Sequence, residues 1–290
     1  MKKFKILIPV YNDWKSLSKL LINIDENIKN INHDISIIII DDASTFDRQL
    51  EIDNLSNITS IKILSMKENK GHARCIATGL KYIFEKDEFD YVIPMDGDGE
   101  DRPEEIKEFI KITENIPKQS IVGERVKRSE ALIFKFCYLL HKIITLVFTG
   151  HLIKFGNFSC LTKSTVEKMI NEKATWNSFS GALDKIEKNK FSIPSIRGER
   201  YFGPSKMSFL NLLKHSLSII SVFRMAVLIR SALFIIIYIL IIKSNASIIT
   251  ASPLLLLLVM IYSVSNLALR ENMDEFDQSL SNINNIDIIK

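Results

Sequence analysis

The sequence has no cysteine pattern to speak of. Cys75, Cys137 and Cys160 stand without paired spacing, which excludes a disulfide framework or a cysteine zinc site and fits a reduced, cytosolic setting for the soluble part. It also has little surplus charge. Against 38 Lys and Arg stand 34 Asp and Glu, leaving +4, too little to argue for a nucleic-acid partner. Internal repeats are missing. The opening MKKFKILIPVYND carries lysines and a short apolar run but no small-residue cleavage site, so a buried first strand is expected there rather than a signal peptide. The weight of Ile, Asn and Lys points to an AT-rich, bacterial coding sequence.

What is present is unevenly placed. Hydrophobic residues make up 47% of the 290 positions, and much of that share lies between Ser216 and Leu269. The first half alternates strand and helix signals. Lys5–Val10 is an apolar run, after which Asn12 and Asp13 can cap a helix reaching about Ile28. Ser36–Ile40 is a β-branched run suited to a strand buried on both faces. Ile61–Leu64, Tyr91–Pro94 and Ser120–Val122 read as further strands, and Gly71–Phe84 as a helix. Pro103, followed by Glu104 and Glu105, marks another helix start. The alternation predicts an α/β fold with a mainly parallel sheet, whose ligands bind beyond the carboxyl ends of the strands.

The second half changes character. Residues 131–149 are mostly apolar but broken by Lys135, His141 and Lys142. That pattern fits an amphipathic helix on a membrane surface or a buried core helix. A second such segment, 207–223, runs directly into longer apolar stretches and favours the membrane reading. Those stretches, about 225–242 and 246–269, are each near the roughly 20 residues needed to cross a bilayer. The second holds 24 residues without a charge. Only Lys243, Ser244 and Asn245 separate them, predicting a transmembrane hairpin. Lys214, Arg224, Arg230 and Arg270 flank its ends against Lys243 in its turn, which places the ends and the soluble part in the cytoplasm by the positive-inside rule. Arg230 is expected to snorkel to the interface. The polar tail, 271–290, is expected to fray in the cytoplasm.

Four segments carry chemistry. Asp96-Gly97-Asp98 follows a strand, and Glu100 continues the alternation. Carboxylates at this spacing suit one hard divalent cation, Mg²⁺ or Mn²⁺, whose shell keeps waters and substrate phosphates. The bland alternative is an acidic solvated turn. Pro9, Tyr11 and Asn12 close the first strand, and Asp41 and Asp42 close the second, where carboxylates face the ligand crevice. Turn capping is the competing role for Asp42 and Ser44. Asn69, Gly71 and Arg74 precede a helix, and Gly71 allows close backbone approach.

In this order and spacing the four segments resemble family 2 glycosyltransferases with the GT-A fold, over roughly residues 4–128. Three more stretches resemble that family's polyprenyl-phosphate branch: Gly123 to Arg128, Gly156-Asn157-Phe158, and Arg197 to Lys206. Two C-terminal spanning helices extend the likeness to about residue 270. The resemblance implies a catalytic domain over 1–206 with an interfacial helix at 131–150, a juxtamembrane helix at 207–223 and two transmembrane helices within 224–270. It implies metal ligation by Asp96, Asp98 and Glu100, the last standing where the family usually has Gln. Arg125, Arg128, Arg200, Ser205 and Lys206 would meet phosphates of donor and acceptor. Pro9, Tyr11, Asn12, Asp41, Asp42, Asn69, Gly71, Arg74 and Gly123 would line the donor site, and Asp101 would serve as base if the acceptor were a hydroxyl.

The implied activity is inverting transfer of a sugar from a UDP- or GDP-linked donor to a polyprenyl phosphate, at the cytoplasmic face of a bacterial inner membrane. Alternatives are a hydroxyl acceptor on the same fold, and a non-catalytic membrane-bound binding module. A nucleotidylyltransferase is disfavoured, since PVYND stands where that class carries a Gly-rich loop with Arg and Lys. Assembly into a homo-oligomer is left open.

Overall fold

The computed structural model describes residues 1–52, 55–127, 132–203 and 209–290. The β-branched runs form strands, as expected where side chains must pack on both faces of a sheet. β1 (Lys3–Val10), β2 (Asp34–Asp41), β3 (Ser60–Met66) and β4 (Tyr91–Pro94) pair parallel in the order β4-β1-β2-β3. β5 (Ile121–Lys127), β6 (Phe155–Thr162) and β7 (Phe191–Ile196) extend the sheet on the β4 side, and β8 (Ile283–Ile288) closes the other edge. The full order is β7-β5-β6-β4-β1-β2-β3-β8. β6 runs antiparallel between β4 and β5, while β7 returns to parallel with β5.

Helices cover both faces. α1 (Trp14–Ile28) and α3 (Ile106–Asn115) bury Leu17, Leu21, Ile24 and Phe109 against Phe4, Ile6 and Ile8. On the other face α2 (His72–Lys86), α5 (Lys163–Ile170) and α6 (Phe179–Ile186) pack on Leu7, Ile38 and Ile40. Alternate residues of β1 thus enter opposite cores, which fixes its register, since a one-residue slip would exchange the two faces.

α4 (Leu132–Thr149) and α7 (Phe209–Ser221) lie at the two segments read as interfacial. α8 (Arg224–Ile242) and α9 (Ile248–Ala268) form the hairpin. Both are long and apolar enough to cross a membrane, and only 11% of each apolar stretch is buried within the chain. Met225, Ile229, Leu233, Ile237 and Ile241 of α8 are exposed, as are Leu256 and Tyr262 of α9. In water such a surface would be strongly unfavourable; in hydrocarbon it is matched. Arg230 does not simply reach outward. Its Nη1 donates to the carbonyls of Val147 at 2.9 Å and Leu146 at 3.4 Å, so it caps the C-terminal end of α4, where the Leu146 carbonyl also accepts the Gly150 N–H.

The tail corrects the expectation of fraying. α10 (Met273–Asp277) buries Phe276 completely, stacked on Trp176 with ring centroids 5.3 Å apart. β8 then pairs antiparallel with β3, and the Arg48–Asp287 ion pair secures it. The chain therefore leaves the sheet domain after β7, passes through the hairpin and returns to the same sheet. Both ends of the hairpin lie on the domain's side.

Candidate active site

The carboxyl ends of β1, β2 and β4 carry the turns at Asn12, Asp42 and Asp96 on the same side of the sheet. Asn12 and Ala43, just beyond β1 and β2, hold left-handed backbones, φ 54° and 56°, a conformation that non-glycine residues keep only where surroundings enforce it. Cross-links between the two turns enforce it here. Asn12 N–H donates to Ser44 Oγ at 2.9 Å, and Asn12 Oδ1 accepts from Thr45 and Phe46 N–H at 2.8 and 3.0 Å. Asp41 Oδ1 accepts the Ser44 N–H at 3.0 Å. Asp42 is buried and accepts the Lys70 and Gly71 N–H groups at 2.7 and 2.9 Å, while its carbonyl accepts from the Asn69 amide at 3.1 Å. Gly71, at φ 89°, turns the chain from this loop into α2. Tyr11 is exposed beside these turns, whereas Pro9 lies buried within β1 opposite Ile40.

The acidic loop after β4 forms the floor. Asp96 faces His72 Nε2 at 3.3 Å and accepts from the Asn157 amide at 3.3 Å. Asp101 sits beneath, buried, its Oδ2 accepting the Asp96 N–H at 2.9 Å. Asp98 Oδ1 accepts the Glu100 N–H at 2.9 Å. The segment after β7 lies along this loop. Gly198 N–H donates to the Glu100 carbonyl at 2.8 Å and Tyr201 N–H to the Asp98 carbonyl at 3.0 Å. Arg197 pairs with Glu100, and Arg200 bridges Asp98 and Asp13, the latter at 3.0 Å. Gly99, at φ 90°, lets the Tyr201 ring lie on the loop; a Cβ there would come within 2.5 Å of that ring. Tyr201 is held from behind by the Asn23 amide at 2.8 Å.

Crowding sets the electrostatics. Burial and the neighbouring Asp96 charge push the Asp98 carboxyl up to about 6 and that of Asp101 up to about 7. Asp96 goes the other way: burial opposes its ionisation, but the hydrogen bond and charge of His72, with Arg125 and Arg197, outweigh burial and hold it well below the usual carboxylate range. Arg125 reaches the cluster across Gly156, where any Cβ would collide with its guanidinium.

Asp96, Asp98, Glu100, Asp101, Arg125 and Arg200 are thus brought together. Asp13, His72, Asn157 and Arg197 join them; all four lie in the quoted motifs, and only their side-chain directions were missing from the sequence. Arg74 turns elsewhere, to Glu275 at 3.2 Å and over the Trp176 ring at 5.2 Å. Gly123 lies inside β5, where a Cβ would approach Ser195 Cβ to 3.0 Å, so its missing side chain serves strand packing. Arg128, Ser205 and Lys206 lie outside the described residues.

Among the described residues no three acidic, His or Cys side chains converge closely enough to hold a metal ion alone. The donor set still suits one: Asp96, Asp98 and Glu100 offer hard oxygen ligands within five residues, already facing cationic partners. A divalent cation would take the rest of its shell from substrate phosphates, as Mg²⁺ commonly does.

The carboxyl ends of a largely parallel sheet are where an open α/β domain takes its ligand, and here they carry the acidic loop. Residues 5–179 match glycosyl transferase family 2, and the chain belongs to that family. It is 24% identical over 221 residues to the undecaprenyl-phosphate 4-deoxy-4-formamido-L-arabinose transferase of Proteus mirabilis, and 26% identical over 225 residues to that of Photorhabdus laumondii. Each match covers 73% of this chain and 65% of the relative, so the chain spans less than two thirds of those proteins' length. Among solved structures, glucosyl-3-phosphoglycerate synthase from Mycobacterium tuberculosis with Mn²⁺, UDP-glucose and phosphoglyceric acid aligns at a TM-score of 0.55 and 12% identity, over 78% of this chain and 80% of that one. The same protein with Mg²⁺ and UDP aligns at 0.51 and 12% identity, over 78% and 79%. At this identity the likeness is one of fold.

Proposed function

We propose that the chain transfers a sugar, with inversion, from a UDP- or GDP-linked donor to a polyprenyl phosphate at the cytoplasmic face of a bacterial inner membrane. The observation that carries this reading is the docking of the Arg197–Tyr201 segment on the Asp96–Asp101 loop, close in the chain to the entry into the apolar helices. Carboxylates and guanidinium groups are gathered at this loop, and the apolar helices follow it in the chain, which supports a site serving both a soluble donor and a lipid acceptor. The relatives named for undecaprenyl-phosphate sugar transfer support the acceptor class.

Asp96, Asp98 and Glu100 would hold Mg²⁺ or Mn²⁺, which offsets charge on the departing diphosphate. The turns at Tyr11–Asn12 and Asp41–Asp42, with Asn69 and Gly71, would receive the nucleoside. Arg125 and Arg200 would meet phosphate oxygens, which a planar guanidinium grips in two places; Arg128, Ser205 and Lys206 are proposed for the same task. Inversion requires the acceptor phosphate oxygen to attack the anomeric carbon opposite the leaving group. A phosphate monoester, with a second pKa of about 6, is largely dianionic at neutral pH, so it needs no strong base. That agrees with Asp101, whose Oδ2 is bound to the Asp96 N–H and which serves to shape the loop.

The test uses the full chain in vesicles with labelled nucleotide-sugars and either undecaprenyl phosphate or undecaprenol. Label entering lipid from one donor with the phosphate only is the expected result. Transfer to the alcohol instead would establish the hydroxyl-acceptor reading and overturn this one.

A further inference from the structure

The loop between β3 and α2 together with the first residues of α2, residues 67–74, has two sides. Its inner side meets the candidate site: Asn69, Lys70 and Gly71 bind Asp42, and His72 reaches Asp96. Its outer side is held by the tail. Lys67 N–H donates to the Asn282 carbonyl at 2.7 Å, Lys67 Nζ to the Ser281 carbonyl at 2.7 Å, and the Asn282 amide to the Glu68 carbonyl at 3.3 Å. Glu275 holds the other end. One of its oxygens accepts from Trp176 Nε1 at 2.9 Å and meets Arg74 at 3.2 Å; the other lies 4.0 Å from Lys70 Nζ. Trp176 is buried, stacked on Phe276 and with the Arg74 guanidinium 5.2 Å from its ring centre, so the carboxylate is aimed by a rigid ring.

From this we infer that Glu275 is a positioning residue for the donor site, and that Arg74 acts with it rather than on the substrate. The inference rests on the nucleotide-sugar reading proposed above. The physical reason is preorganisation. A loop left free must be ordered when ligand binds, which costs conformational entropy; a loop already fixed at both ends avoids that loss. The tail reaches this position only after the chain has passed through the apolar hairpin. One segment therefore links membrane-facing helices to the turn carrying Asn69, Gly71 and His72.

The experiment measures UDP and GDP binding, with Mn²⁺, to the full chain by calorimetry, followed by donor KM and kcat. Glu275→Ala is compared with wild type, with Glu275→Gln and with Phe109→Leu, a core change in α3 on the opposite face of the sheet. Glu275 is partly exposed, so its truncation empties no core. Expected for Glu275→Ala is a loss of nucleotide affinity on the order of tenfold, mirrored in donor KM, with kcat changed by less than about threefold. Glu275→Gln keeps an acceptor for Trp176 and Arg74 and should recover most of the affinity. Phe109→Leu should lower the thermal midpoint and leave affinity intact. Wild-type affinity in Glu275→Ala, or an equal affinity loss in Phe109→Leu, overturns the positioning role alone. If wild type binds neither nucleotide, the nucleotide-sugar reading falls and this inference with it.

Discussion

Asp98 stands between two opposing influences: burial and Asp96 disfavour its charge, and the Glu100 N–H and then Arg200 favour it. The sign of the pH effect follows. With its carboxyl near 6, a growing share is protonated as pH falls below that value, and a protonated acid is a poor cation ligand. Mn²⁺ affinity, read by electron paramagnetic resonance without nucleotide, should rise as pH climbs through about 6 and level off above about 7. Flat affinity between about pH 5 and 8 would remove Asp98 from the ligand set. Asp98→Ala should abolish transfer while barely moving the thermal midpoint, because a loop carboxylate adds little packing; near-normal turnover at saturating cation would contradict the assignment. Arg200→Ala should lower turnover on the order of 10²–10³-fold, more than it lowers donor affinity. Arg200 is mostly buried and engaged with Asp98 and Asp13, unlike a residue reaching for anionic lipid. Vesicle partitioning should therefore be unchanged in the variant. If activity tracked partitioning alone, the phosphate role would be wrong. Much of this site was legible because strand-end carboxylates and Gly turns are written in short contiguous motifs. The partners of Asp96 were not, since His72 and Asn157 meet it from segments 85 residues apart in the chain.

At the scale of elements, the strands and helices of the first half fell where hydrophobic runs put them, within a few residues, although α1 starts without the side-chain cap expected of Asn12 or Asp13, which bind the Thr45–Phe46 turn and Arg200 instead. The tail did not. Its strand, INNIDI, has one neighbour and exposed side chains on most positions, so polar Asn and Asp dominate and the pattern looks like disorder. What holds it is a backbone ladder with β3 and one buried aromatic, Phe276, neither of which composition reveals. Arg230 was similarly ambiguous: a lone cation in an apolar helix reads as snorkelling, yet it closes the end of α4. Arg230→Ala should leave the Leu146 and Val147 carbonyls without that donor. Hydrogen exchange over residues 132–150 should then quicken by about tenfold in the last turn, with the sheet unaffected. Unchanged exchange there would show that the cap contributes nothing.

At the scale of the molecule, the return of β8 to the sheet fixes the hairpin's topology relative to the domain. After Cys137 is replaced, single cysteines at Ser244 and Glu271 should label from opposite sides of sealed inverted membrane vesicles. The Glu271 position should be the one open to an impermeant reagent added outside, since such vesicles expose the cytoplasmic face. Labelling of both positions from the same side would refute a spanning hairpin. Because the tail belongs to the sheet, removing everything after about residue 223 would damage the domain as well as remove the apolar hairpin. A short linker replacing residues 224–270, with the tail retained, isolates the membrane contribution. That form should still bind nucleotide yet transfer poorly to lipid in vesicles, because the local acceptor concentration is lost.

The most direct test of sugar transfer to a lipid phosphate is the stoichiometry of products from wild type and Asp98→Ala. Both would be given undecaprenyl phosphate, Mn²⁺ and the donor that labels lipid. Wild type should release one nucleoside diphosphate for each lipid-linked sugar formed, with inverted anomeric configuration, and chelation should stop both products together. Asp98→Ala should yield neither. Nucleoside diphosphate released with free sugar, and no sugar in the lipid fraction, would contradict the account.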